Sequence, residues 1–199
     1  MVRGALGVLT FDAVRRALRG YVPQSAETPE ARPAAVALLL IEGARGLEAL
    51  FIKRAVRTGD PWSGQISLPG GRREPADADL LATAMRETRE EVGVDLTRVE
   101  RLGQLNDMNP RTPTLPPIYV RPFVFALATV PALTTSDEEV QRAFWVPLAR
   151  FAEPGVRRDF TLTVAGVERT FPAYDLGDDV IWGMTERIIT PFIELIPAK

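Results

Sequence analysis

Apolar positions follow two rhythms along the chain, and the switches between them predict its elements. In "TFDAVRRALRG" (10–20), Phe11, Val14 and Leu18 share one side of a short helix that stops at Gly20. The polar, proline-rich "YVPQSAETPEARP" reads as a linker or a loop. "AAVALLLIE" has the unbroken apolar run of a buried strand, and "GLEALFIKR" is a second strand after the turn-like "GARG". "TGDPWSG" reads as a loop, "QISLP" as a short strand and "GGRREPADAD" as a second loop. A helix is predicted over 78–92, with Asp77 as its N-cap and Gly93 as its C-terminal stop. Strands follow at 98–107 and 117–128, then "AFWVPL", then a hairpin in "FTLTVAGVERTFPAYDL" turning at Ala165-Gly166. Phe123 and Phe125, two apart in a strand, are expected in the core. The final "IWGMTERIITPFIELI" starts extended and continues as an amphipathic helix, interrupted or kinked near Pro191. Mixed strands with a few helices predict an α/β sandwich, with 1–33 as an N-terminal helix and linker and 34–199 as the main domain.

Composition narrows the chemistry more than the fold. A net charge of -2 argues against broad nucleic-acid binding, which needs a positive surplus. The chain has no Cys and no His, which excludes thiolate nucleophiles, Ser-His-Asp catalysis and His- or Cys-ligated zinc. A metal here must be held by oxygen, as Mg²⁺, Mn²⁺ or Ca²⁺ are. The longest apolar run, "AAVALLLI", is too short to span a bilayer, and no cleavage-like site follows the first residues. A cytoplasmic protein without a membrane partner is the expectation.

The stretch "MRETREEVG" (85–93) carries chemistry that the hydrophobic pattern does not explain. At about 100° per residue, Glu87, Glu90 and Glu91 fall within one arc at the border of the buried face. Ala84, Met85, Thr88 and Val92 occupy the adjoining arc. Acids this close repel one another, and the helix C-terminus adds partial negative charge of its own. Two readings account for them: a solvated surface helix balanced by Arg86 and Arg89, or a cluster that a divalent cation turns from repulsion into coordination. Upstream, "SLPGG" runs a strand into Gly70-Gly71, where missing side chains let the backbone approach a ligand.

Together these residues resemble the box of the Nudix hydrolases, G-x5-E-x7-R-E-U-x-E-E-x-G-U, with U an apolar residue. Arg86, Glu87, Glu90, Glu91, Gly93 and Val94 stand in register, and Thr88 takes an apolar position. Counting from Gly71 places the early acid on Asp77, with one extra residue before Arg86; Glu74 is another acid in that loop. The resemblance implies a Nudix-type α/β/α sandwich with a mixed sheet, hydrolysing a nucleoside diphosphate linked to another group. It implies Mg²⁺ or Mn²⁺ held by Glu87, Glu90, Glu91 and the Gly71 carbonyl, with Arg86 orienting the acids.

The wider chain resembles the coenzyme A pyrophosphatase branch. The resemblance rests on "GQISLPGGRREPADADLLATAMRETREEVG", on Leu50, Arg54 and Ala55, and on "FPAYDLGDDVIWGMTERII". Asp60 stands at the branch's second Arg position, and Arg57 is its nearest substitute. CoA or acyl-CoA is the implied substrate, with ADP-ribose, nucleotide sugars and oxidised or ordinary nucleoside di- and triphosphates as alternatives. A module that binds a nucleotide without cleaving it is the alternative outside catalysis. Arg54, Arg57, Arg72 and Arg73 are candidate phosphate partners, Trp62 a candidate stacking surface, and Glu139 a candidate further base or ligand. Arg111 is a candidate contact for the substrate's second half. Dimers are frequent among such relatives, so a homodimer is a further expectation.

Overall fold

The computed structural model describes residues 9–59, 62–110, 117–164 and 166–196. Arg111, Asp60 and the turn residue Ala165 lie outside them. The fold is built on β1 (Arg32–Gly43), whose apolar run is buried from both sides. It forms a hairpin with β2 (Gly46–Arg54), from Leu40 opposite Ala49 to Gly43 opposite Gly46. Beyond Leu40 the two strands part, and residues 66–72 fill the gap. There β3 (Ile66–Ser67) pairs with β2, and β4 (Gly70–Arg72) pairs with the first part of β1.

The sheet continues past β1 through β5 (Glu100–Gln104) and β6 (Ile118–Ala126), of which β6 runs parallel to β1. On the other side, β7 (Val140–Pro147) pairs with β2. A smaller antiparallel sheet holds β8 (Arg157–Val164), β9 (Val167–Asp175) and β10 (Val180–Trp182).

Period-2 alternation sends side chains of β1 into two separate cores. Leu38 and Leu40 join Phe51 under α1 (Phe11–Arg19) and α3 (Gly183–Leu195). Ala35, Ala37, Leu39 and Ile41 join Leu50, Ile52, Phe123 and Phe125 under α2 (Leu80–Val92). This is the α/β/α sandwich with a mixed sheet that the sequence suggests. The N-terminal helix belongs to the packing, since Ala13, Val14 and Leu18 are buried in the first core. Among the described residues, no helix is long and apolar enough to cross a membrane.

Three expectations are corrected. The segment 70–79 is not all loop, because Gly70–Arg72 adds to the sheet. Gly70 makes this contact possible: its φ is 152°, and a Cβ there would lie 2.3 Å from the Ala35 carbonyl oxygen. Asp77 does not cap α2. The helix starts at Leu80, and its cap is Asp79, whose carboxylate accepts the Ala82 N–H at 2.8 Å. Pro191 does not interrupt α3, which continues through it to Leu195. The expected stop of α2 is found, with Gly93 in the left-handed region at φ 74°.

Candidate active site

The helix α2 lies across β1 and β4 with its last two turns over the Gly70-Gly71 strand. Its side chains divide as the 3.6-residue turn requires. Leu80, Ala84, Thr88 and Val92 face the core, and Arg89 faces solvent. The three acids of the C-terminal half do not share one environment. Glu91 is 1% exposed, Glu87 is largely covered, and the Glu90 side chain is 54% exposed.

Glu91 is the most constrained. Its Oε2 accepts the Gly70 N–H at 2.8 Å, and its Oε1 stands 3.9 Å from an Arg54 guanidinium nitrogen. Burial pushes its carboxyl up to about 8. The Gly70 N–H and Arg54 oppose that rise, while Glu87 and Glu139 add to it. Glu87 is also raised, chiefly by burial, against the opposing pull of Arg86. A Cβ on Gly71 would come within 2.4 Å of Glu87 Oε1, so any other residue here would push the Glu87 carboxylate from its present place. The sheet therefore presents two adjacent glycines to two carboxylates whose charge burial disfavours.

Arg86 occupies the centre of the other half of the site. It donates through Nε to Asp77 Oδ1 at 3.0 Å and through Nη2 to Asp77 Oδ2 at 3.1 Å. It also reaches the Arg72 carbonyl at 3.0 Å, Glu87 at 3.0 Å and Glu90 at 2.8 Å. These contacts decide which early acid pairs with the box arginine. Asp77 does, at 5% side-chain exposure, whereas Glu74 is 61% exposed and 3.9 Å away. Asp77 accepts also from Thr83 Oγ1 and the Glu74 N–H, and Arg86 above all holds its carboxyl down at about 2.

The remaining candidates fall into two groups. Arg54 and Glu139 join the acids: Arg54 through Glu91, and Glu139 through the charge it adds to both Glu87 and Glu91. Arg57 binds the Glu138 carbonyl at 2.7 Å and Glu139 at 3.5 Å, tying its own loop to the one before β7. Arg73 is turned back onto the Asp77 and Ala78 carbonyls, so its guanidinium braces the turn. Arg72 is exposed and Trp62 is half-buried. What the sequence reading missed is the Gly70 N–H as a donor to Glu91; a glycine marks a close approach without saying which atom approaches.

The donor set is hard oxygen, which suits Mg²⁺ or Mn²⁺. Among the described residues, no three acidic side chains are drawn together around a common point, because Arg86 takes up Glu90 and one oxygen of Glu87. The chemistry of the set still fits a divalent cation: Glu91 is buried without a full counter-charge, and Gly71 leaves its space open beside Glu87.

A family model described as NUDIX domain matches residues 31–164. A protein of Schizosaccharomyces pombe is 35% identical over 131 residues, 63% of this chain but 40% of its own length. The human "Mitochondrial coenzyme A diphosphatase NUDT8" is 33% identical over 172 residues, covering 81% of this chain and 69% of that protein. The Photorhabdus laumondii "Nudix hydrolase NudL" is 32% identical, covering 79% and 81% respectively. Among solved structures, a MutT/nudix family protein from Enterococcus faecalis superposes with a TM-score of 0.54 at 22% identity, over 86% of this chain and 62% of that one. A C. elegans Ap4A hydrolase gives 0.50 at 20% identity, over 59% and 81%. At these identities the structures show the shared fold.

Proposed function

Because the chain belongs to the Nudix hydrolase family and is a pyrophosphohydrolase, we propose that its substrate is coenzyme A or an acyl-coenzyme A. Water adds across the diphosphate bond. One phosphorus takes the hydroxyl and leaves as adenosine 3',5'-bisphosphate or 4'-phosphopantetheine, and the other keeps the bridging oxygen. The observation that carries the chemistry is the Glu87–Glu91 pair against Gly70-Gly71, two covered carboxylates that repel and are under-neutralised. The substrate follows from the likeness to proteins named coenzyme A diphosphatases and from the upstream Leu50, Arg54 and Ala55.

Glu87 and Glu91, with Glu90 and the Gly71 carbonyl, are the residues that would hold Mg²⁺ or Mn²⁺. Such an ion neutralises phosphate oxygens and makes a bound water easier to deprotonate. The chain supplies the rest. Glu91 is oriented by the Gly70 N–H, and Arg86 spans Asp77 and the acids so that the helix turn keeps one geometry over the sheet. The exposed Arg57–Glu139 pair would meet the polar part of the substrate.

The test is product analysis after incubation with Mg²⁺ or Mn²⁺ and, in parallel, CoA, ADP-ribose, a nucleotide sugar and nucleoside triphosphates. Adenosine 3',5'-bisphosphate released from CoA faster than any other product is expected. Preferred cleavage of another diphosphate would overturn the CoA assignment. Nucleotide binding without any cleavage would favour a non-catalytic module.

A further inference from the structure

We propose that Ser67 is a positioning residue for Glu91, acting through one buried water held between Ser67 Oγ, Glu91 Oε1 and Arg54. The placement follows from strand alternation. Ile66 and Leu68 enter the core beneath α1 and α3, so Ser67 between them points the other way. Its cross-strand partner, Ile52, lies in the core beneath α2, and partners across a ladder share a face. On that face Arg54 is the diagonal neighbour, two positions further along β2. Three residues after Ser67, Gly70 donates to Glu91. Gly70, on one Glu91 oxygen, and Arg54, near the other, therefore flank the strand position of Ser67.

The Ser67 hydroxyl is buried and has no hydrogen-bond partner among the described residues. Other hydroxyls beneath this helix are satisfied: Thr83 donates to Asp77 at 2.9 Å and Thr88 to the Ala84 carbonyl at 2.7 Å. A buried hydroxyl left alone is uncommon and calls for an exogenous partner. A water needs two to four polar groups around it. Ser67 Oγ, Glu91 Oε1 and the Arg54 guanidinium supply three. The 3.9 Å between Arg54 and Glu91 is too long for a hydrogen bond and is a separation that a shared water bridges.

In this arrangement the Gly70 N–H fixes one oxygen of Glu91 and the water fixes the other, leaving the carboxylate a single orientation. The effect on catalysis rests on the hydrolase reading above, whereas the water itself does not. A high-resolution crystal structure of the metal-free protein is expected to show it within hydrogen-bond reach of both Ser67 Oγ and Glu91 Oε1. Ser67→Ala should remove it and lower kcat about tenfold, as loss of an outer partner commonly does. KM should stay unchanged and the unfolding midpoint should not fall, and Ser67→Thr should restore both water and kcat. Absence of the water from the wild-type density overturns the proposal whatever the activity. So does a Ser67→Ala enzyme with wild-type kcat. A water present in wild type and lost in Ser67→Ala, with no diphosphate cleaved by either, upholds the positioning and overturns only the substrate reading.

Discussion

The two ends of the site use buried acids in opposite ways. At the start of α2, Asp77 is surrounded by donors, and its carboxyl is held down at about 2. At the end of the same helix, Glu91 is more deeply buried and has one N–H and a distant guanidinium, and its carboxyl rises to about 8. At Asp77 the Arg86 hydrogen bonds outweigh the cost of burial, whereas at Glu91 deeper burial outweighs the one N–H and the distant guanidinium. Asp77 is an acid whose partners are all within the chain, so its work is structural. Glu91 is an acid whose partners are incomplete, which is the condition for binding something from outside.

Replacing the two acids should separate these roles, and the largest effect belongs to Glu91. Glu91→Gln should lower kcat by at least about a hundredfold, in the range seen when a group stabilising developing charge is lost. In the metal-free protein at neutral pH it should raise the unfolding midpoint. The sign follows from the raised carboxyl: ionising it costs more in the folded state, so stability is lost as pH rises from the ordinary 4.5 towards 8. A normal kcat, or a lowered midpoint, would place Glu91 with Asp77 as a structural acid.

Asp77→Ala should behave in the reverse way, destabilising by roughly 3 kcal/mol because Arg86 loses its bidentate partner. The wild type also gains stability from Asp77 above its ordinary 3.8, and that gain disappears as pH falls towards 2. Acid unfolding of Asp77→Ala should accordingly be shallower over that interval than in wild type; identical acid limbs would break the assignment. The smallest effect is expected at Asp79, where removal of the cap bond by Asp79→Ala should cost about 1 kcal/mol in chemical unfolding. If Asp79→Ala cost more than Asp77→Ala, the roles of the two aspartates would be exchanged.

The hydrophobic pattern by itself determined most of the architecture. Strands β1, β2, the β8–β9 hairpin and the stop at Gly93 lie where apolar period and glycine place them, since those signals depend on neighbours along the chain. The acids of α2 were likewise legible, because helical geometry alone brings residues 87, 90 and 91 to one side. Tertiary structure decided the rest. Gly70–Arg72 became a strand only because β1 and β2 diverge and leave unpaired backbone for it to meet. The sequence put the cap of α2 on Asp77, but Arg86, reaching back nine residues, claimed Asp77 for itself and the cap fell to Asp79. The unequal states of Glu87, Glu90 and Glu91 were also invisible in the sequence, because desolvation and donor count depend on what the fold lays over each carboxylate.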